Sequence, residues 1–260
     1  MRNNKTLLTQ YSFLMVLVSA EAGCISGFAA VYLENHGFKN LIVGFLLAFG
    51  NLGGAVLSPI LGSVIDKSKR INAFSCLISM LLVKVFLEAL LLLFMKNLHF
   101  IGICFGILLM LSTAAVPIVT DLCFEIDPKR KSIDYGFSRS CGSFSYAIVT
   151  LLLGYICMDL SVDVLPSFEI IIAILQILIL LLIFKNKEVN TEREESVKQQ
   201  PLSLFGFVLR NRKFIVFSLG LMLLNFSACI PGAFLINVVS EIGGKISDVG
   251  IITSIAEYAA

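Results

Sequence analysis

Tyr135-Gly136-Phe137-Ser138-Arg139-Ser140-Cys141-Gly142-Ser143 places a guanidinium at the mouth of an apolar run that continues to Met158. Upstream, Asp121 closes the apolar run before it. Both charges therefore sit at the ends of hydrophobic helices, and an isolated Asp or Arg deep in a bilayer costs roughly 2.5–3.5 kcal/mol on insertion scales. Each needs a partner or a water-filled cavity, and the simplest partner is the other. If one helix descends to about Phe124 and the next climbs from about Asp134, a rise of about 1.5 Å per residue sets the two charges about 5 and 8 Å above the connecting loop. At those heights they can meet.

Composition sets the class. Hydrophobic residues make up 57% of the 260 and charged residues 15%, against roughly 25% charged in a soluble domain. With a mean hydropathy of +0.92, this is a polytopic, all-α membrane protein. The net charge of +2 gives no sign of a nucleic-acid partner. Seven cysteines, at 24, 76, 104, 123, 141, 157 and 229, lie in or beside apolar runs without C-x-x-C spacing. Neither a metal site nor a disulfide framework is expected, and the cysteines read as small packing residues.

A short basic lead with Arg2 and Lys5 precedes an apolar run from Tyr11 to Leu33, and Ala20-Glu21-Ala22 imitates a signal-peptide cleavage site. The run continues well past that site, however, and is long enough to span about 30 Å of hydrocarbon. Six further full-length apolar segments follow at about 40–62, 73–95, 99–121, 136–158, 166–184 and 213–238, and an eighth begins near Asp248. Of the 20 Lys and Arg residues, 15 fall at the amino terminus and in segments 63–72, 122–135 and 185–213. The positive-inside rule then puts the amino terminus in the cytoplasm of a cell that carries the protein in its membrane.

Segment 185–212 is the one real linker, polar and mixed in charge, and it divides the chain into a six-helix bundle at 1–184 and the start of a second bundle at 213–260. A faint repeat supports the division. Gly37, Lys39, Val43 and Gly44 recur 206 residues later as Gly243, Lys245, Val249 and Gly250, as expected of a transporter built from two similar halves. The eighth segment has about 13 residues where a crossing needs roughly 20, so the sequence reads as a C-terminally truncated fragment.

At this point the chain resembles the major facilitator superfamily, and within it the branch holding lactose permease and the nucleoside-proton symporters. Three stretches carry the resemblance. Gly62-Ser63-Val64-Ile65-Asp66-Lys67-Ser68-Lys69-Arg70 looks like the superfamily's G-x-x-x-D-R/K-x-G-R/K loop, with Lys69 in place of the second glycine. Tyr135-Gly136-x-x-Arg139-x-x-Gly142-Ser143 is close to the branch's Y-G-x-x-R-x-x-G-S. Val249-Gly250 followed by Glu257 is similar to the start of its eighth helix. The resemblance implies that Arg139 contacts solute hydroxyls, that Asp121 pairs with it, and that Glu257 bears on solute affinity and proton coupling. It also implies a gate at Gly62, Asp66, Lys67 and Arg70. Asp121 is shorter than the glutamate of lactose permease, so galactoside specificity does not carry over.

Other readings stay open at these positions. Asp121 and Arg139 also fit a structural clamp at a hairpin, with Arg139 snorkelling to the interface. The glycines Gly44, Gly50, Gly53, Gly54, Gly102 and Gly106 read as small faces for close helix packing. Glu21, Lys84 and Glu88 form a further set, since Lys84 and Glu88 are one turn apart and Glu21 and Lys84 lie halfway along their runs. In one reading Lys84 and Glu88 neutralise each other and Glu21 is protonated. In the other Glu21 faces the solute cavity, and Glu21, Glu88 and Glu257 are proton-coupling candidates.

The leading function is a secondary transporter that couples a proton to a small polar solute such as a sugar or nucleoside. A non-transporting solute sensor or assembly protein and a drug/proton antiporter are the alternatives. An enzyme is disfavoured: there is no Walker-type glycine loop and no H-E-x-x-H, and His36 and His99 both fall in outer loops. The expected partners are the solute and the bilayer, with no nucleic acid, no cofactor beyond a proton gradient as driving force, and a monomer at full length.

Overall fold

A backbone in hydrocarbon must satisfy its own N–H and C=O groups, and among the described residues this chain does so with helices alone. The computed structural model describes residues 2–68, 71–127, 132–186 and 211–259, with side chains except at 2–5, 186, 225, 227–233 and 257–259. The helices are α1 (Arg2–Ile25), α2 (Ala29–Asn35), α3 (Asn40–Lys67), α4 (Ala73–Leu93), α5 (Leu98–Ile126), α6 (Tyr135–Leu160), α7 (Leu165–Asn186), α8 (Arg212–Ala233), α9 (Leu235–Glu241) and α10 (Ile246–Ala259). Among the described residues, six stretches are long and apolar enough to cross a membrane: Thr6–Asn35, Asn40–Lys67, Ala73–Leu93, Leu98–Ile126, Tyr135–Leu160 and Val162–Lys185.

Three boundaries differ from the sequence expectation. The first span is two helices, because the backbone widens at Ser26 and Gly27, whose N–H groups both bond to Ala22 O, at 2.9 and 3.2 Å. Gly27 sits there against α6, where an added Cβ would lie 3.3 Å from Thr150 Cγ2. Next, α3 runs on to Lys67, so Gly62, Asp66 and Lys67 lie on the last turns of a helix and not in a loop. Nothing in Ser63-Val64-Ile65-Asp66 breaks a helix, and the charges there mark its exposed end. Arg70 and the linker from 187 to 210 lie outside the described residues. Lastly, the run 213–238 is divided at Phe234 into α8 and α9, just after Pro231-Gly232, a pair that weakens a helical ladder.

Burial is inverted relative to a water-soluble bundle. Phe45, Leu52, Val56, Leu82, Phe86 and Leu182 are exposed, while Glu21, Lys84, Glu88, Glu169 and Gln176 are buried. Lipid is the solvent that suits such an arrangement. Within the bundle α1 packs on α6 and α7, α4 on α5 and α7, and α3 on α5. Small residues allow the close approaches, as expected for the glycines of α3: a Cβ at Gly50 would come 2.8 Å from the Leu109 side chain, and one at Gly54 2.5 Å from Thr113 Cβ.

A close backbone-to-backbone crossing joins α6 to α10. Gly154 and Gly250 face each other so closely that a Cβ on Gly250 would lie 2.5 Å from Thr150 O and 3.0 Å from Gly154 Cα. Backbone cannot yield as a flexible side chain does. Gly250→Ala is therefore expected to lower stability by about 1–3 kcal/mol through overpacking. Gly220→Ala, at a helical position with open space around it, is expected to raise it by about 0.5–1 kcal/mol through helix propensity. Thermal unfolding of the two variants in the same detergent checks the opposite signs.

Candidate functional site

Four helices bring polar side chains to the bundle interior. α1 contributes Glu21, α4 contributes Lys84 and Glu88 one turn apart, α5 contributes Ser112, and α7 contributes Glu169 and Gln176 two turns apart. These are interruptions in otherwise apolar helices. Charge in such a place is retained only when it is paired or used.

Glu21 is the hub. Its Oε1 forms an ion pair with Lys84 Nζ and accepts a hydrogen bond from Ser112 Oγ at 3.0 Å. Its Oε2 accepts one from Gln176 Nε2 at 2.7 Å, and the same amide nitrogen also donates to Leu17 O at 3.2 Å. Glu21 is 6% exposed and Lys84 1%. A cavity of about 40 Å³ adjoins them, lined by Glu21, Lys84, Ser112 and Gln176 and otherwise by apolar residues such as Leu14 and Val119. One turn along α4, Glu88 and Glu169 line a second, smaller cavity with Cys24 and Tyr32.

The pairing differs from the sequence expectation in one respect. Spacing suggested Lys84 with Glu88, but the ammonium bonds across the bundle to Glu21. A lysine stem is long enough to leave its own helix face, and Glu21 offers a carboxylate already held by two donors. Glu169, Gln176 and Ser112 escaped the sequence reading. Glu169 carries the same signal as Glu21, a charge within an apolar run, but it stands near the start of its run, where a charge reads as interfacial.

Asp121 and Arg139 do not meet. No ion pair joins them among the described residues, and both are exposed. The charge acting on Asp121 is that of Asp66, and the field of Arg139 reaches Tyr11. The turn between α5 and α6 fixes this outcome. Asp127 Oδ2 accepts from the N–H groups of Ser132 and Ile133, at 2.6 and 2.8 Å, and Asp134 Oδ1 caps α6 at Phe137 N, 3.0 Å away. The Tyr135 hydroxyl and Thr120 Oγ1 are 3.3 Å apart, and Ser138 Oγ meets Ser12 Oγ at 2.9 Å. With Ser138 and Gly142 turned toward α1, Arg139 points elsewhere.

The remaining expected site residues are dispersed. Asp66 and Lys67 are exposed at the end of α3, and Gly62 has nothing within 4 Å of where a Cβ would be. Glu257 falls on α10, and its side chain lies outside the described residues.

The family model described as MFS_1 like family matches residues 8–256. Comparison with curated proteins and with solved structures found no match.

Removing one partner of the buried ion pair strands the other. Lys84→Met is expected to cost about 3–5 kcal/mol of stability, and adding Glu21→Gln in the same chain is expected to recover most of it. Unfolding of the single and double variants in detergent, with the yield of monodisperse protein, reads both effects.

Proposed function

The chain belongs to the MFS_1 like family, within the major facilitator superfamily, and from that premise we propose that it is a secondary active transporter that carries a small polar organic solute together with a proton. A multi-pass bundle of this superfamily transports solutes; the symport mode and the solute class are our reading. The observation that supports it most is the surplus of carboxyl groups in the bundle interior: among the described residues Glu21, Glu88 and Glu169 are buried with Lys84 as the one buried cation. Intramembrane ionisable groups mark ion and proton pathways. A bundle needing only structural glue is better served by apolar packing than by three buried acids.

In this reading the solute is a sugar, nucleoside or similar hydroxylated molecule. Arg139, Asp121 and Glu257 are assigned to it as donors and acceptors for hydroxyl groups, with Asp121 and Arg139 acting as separate contacts because no ion pair holds them together. Asp66 and Lys67, exposed at the end of α3, are assigned to gating. The two halves of the superfamily's architecture rock about the site, and protonation of a buried carboxyl changes the charge of one bundle between its two positions. The amino terminus is assigned to the cytoplasm on the distribution of Lys and Arg.

Cells expressing the full-length protein in weak buffer are exposed to a panel of disaccharides, nucleosides and aromatic acids while external pH is followed. One of these solutes is expected to raise external pH, and Arg139→Ala to abolish the rise at unchanged protein level in the membrane. A panel in which no solute moves protons, with protein present, overturns proton-coupled import of these solutes.

A further inference from the structure

The second cavity has a volume of about 10 Å³, room for about one water-sized occupant. Into it face Glu88 from α4, Glu169 from α7, Cys24 from α1 and Tyr32 from α2; α5 adds only Phe105 and Leu108. Glu88 is 0% exposed and Glu169 4%. The two carboxyls lie within hydrogen-bonding reach of each other. With both written as carboxylates, however, no donor faces either oxygen of Glu88, and the Tyr32 hydroxyl beside them has no partner. Two acceptors cannot bond unless a proton stands between them.

The surrounding charges relieve this only in part: the field of Lys84 reaches both carboxyls, but one cation does not neutralise Glu21, Glu88 and Glu169 together. Lys84, one turn away, is committed to Glu21, and the Glu21 carboxylate is itself held by Ser112 and Gln176. Asp163, beyond Tyr32, is paired with His36 at 3.4 Å. Among the described residues no trio of His, Cys, Asp and Glu is arranged to hold a metal ion. Two ionised carboxylates side by side in a low-dielectric interior repel strongly, and the relief open to them is to share a proton.

We infer that Glu88 and Glu169 form a carboxyl–carboxylate pair that binds one shared proton inside the six-helix bundle. Binding forms a single O–H bond to a proton supplied by water and breaks no bond in the protein. Lys84 acts as a positioning residue. While it holds Glu21 the pair keeps its proton, and turned toward Glu88 it drives the proton off. The role of this site in transport rests on the proton-coupled reading above, whereas the site itself rests on the cavity.

The test uses the purified full-length protein in lipid nanodiscs, titrated by infrared difference spectroscopy in light and heavy water, with the proton as the only probe. The expected result is a carbonyl band of a protonated carboxyl group that shifts in heavy water and vanishes at alkaline pH. Glu88→Gln/Glu169→Gln, whose amides can bond to each other, is expected to lack it. Glu21→Gln, which frees Lys84 for Glu88, is expected to move its loss to lower pH. The absence of such a band from the unsubstituted protein, its persistence in the double variant, or its displacement by sodium at constant pH overturns the inference. A band that behaves as expected in a protein that moves no protons with any panel solute leaves the site standing and removes the transport reading. Solute-driven proton uptake that survives in the double variant leaves the transport reading standing and removes this site's part in it.

Discussion

The ion pair between Lys84 and Glu21 is the constraint on which the rest of the bundle depends. An ammonium taken out of water costs several kcal/mol, and only a close carboxylate with its remaining lone pairs satisfied offsets that cost. Here Ser112 and Gln176 complete the carboxylate's shell, so α1, α4, α5 and α7 all converge on one side chain. Apolar residues turn outward to lipid because the polar ones are needed at that centre. The same pairing leaves Glu88 and Glu169 without a direct ion pair to Lys84, although its field reaches both. The choice of partner by one lysine thus decides both how four helices pack and which buried acids are left without a direct cation partner.

The spans themselves were legible in the sequence, since long apolar runs bounded by charge have few other meanings. Depth was legible too, and Glu21 and Lys84, each halfway along its run, do meet. Rotation about the helix axis was not. Asp121 and Arg139 stand at compatible heights, but height says nothing about which way a side chain faces. The turn held by Asp127 and the contact of Ser138 with Ser12 fix α6 in a phase that points Arg139 away. The end of α3 differs from the sequence expectation for a related reason. Asp66 and Lys67 are charged and exposed, and exposure does not require a loop when no glycine or proline stands between Ser63 and Lys67. Glu169 carries a readable signal that its position near the start of its run disguises.

The motif around Arg139 thus separates into two tasks. Tyr135, Ser138 and Gly142 build the crossing of α6 with α5 and α1. Gly142 is needed there because a Cβ would sit 2.6 Å from Ser19 Oγ and 3.2 Å from Met15 O. Arg139 is left exposed, as are Phe137 and Phe144 on the same helix. A residue spared from packing in a packed motif is free to meet something that is not part of the bundle. The same helix carries the glycine contact with α10, so it joins the six-helix bundle to the segment beyond the linker.

The most direct measurement is accumulation of a radiolabelled panel solute by proteoliposomes containing the full-length protein, with and without an imposed pH gradient, alkaline inside. Coupling through buried carboxyls predicts accumulation above the external concentration only while the gradient lasts, and its collapse on adding a protonophore. Accumulation that ignores the protonophore and follows a sodium gradient, or mere equilibration whatever the gradient, contradicts it.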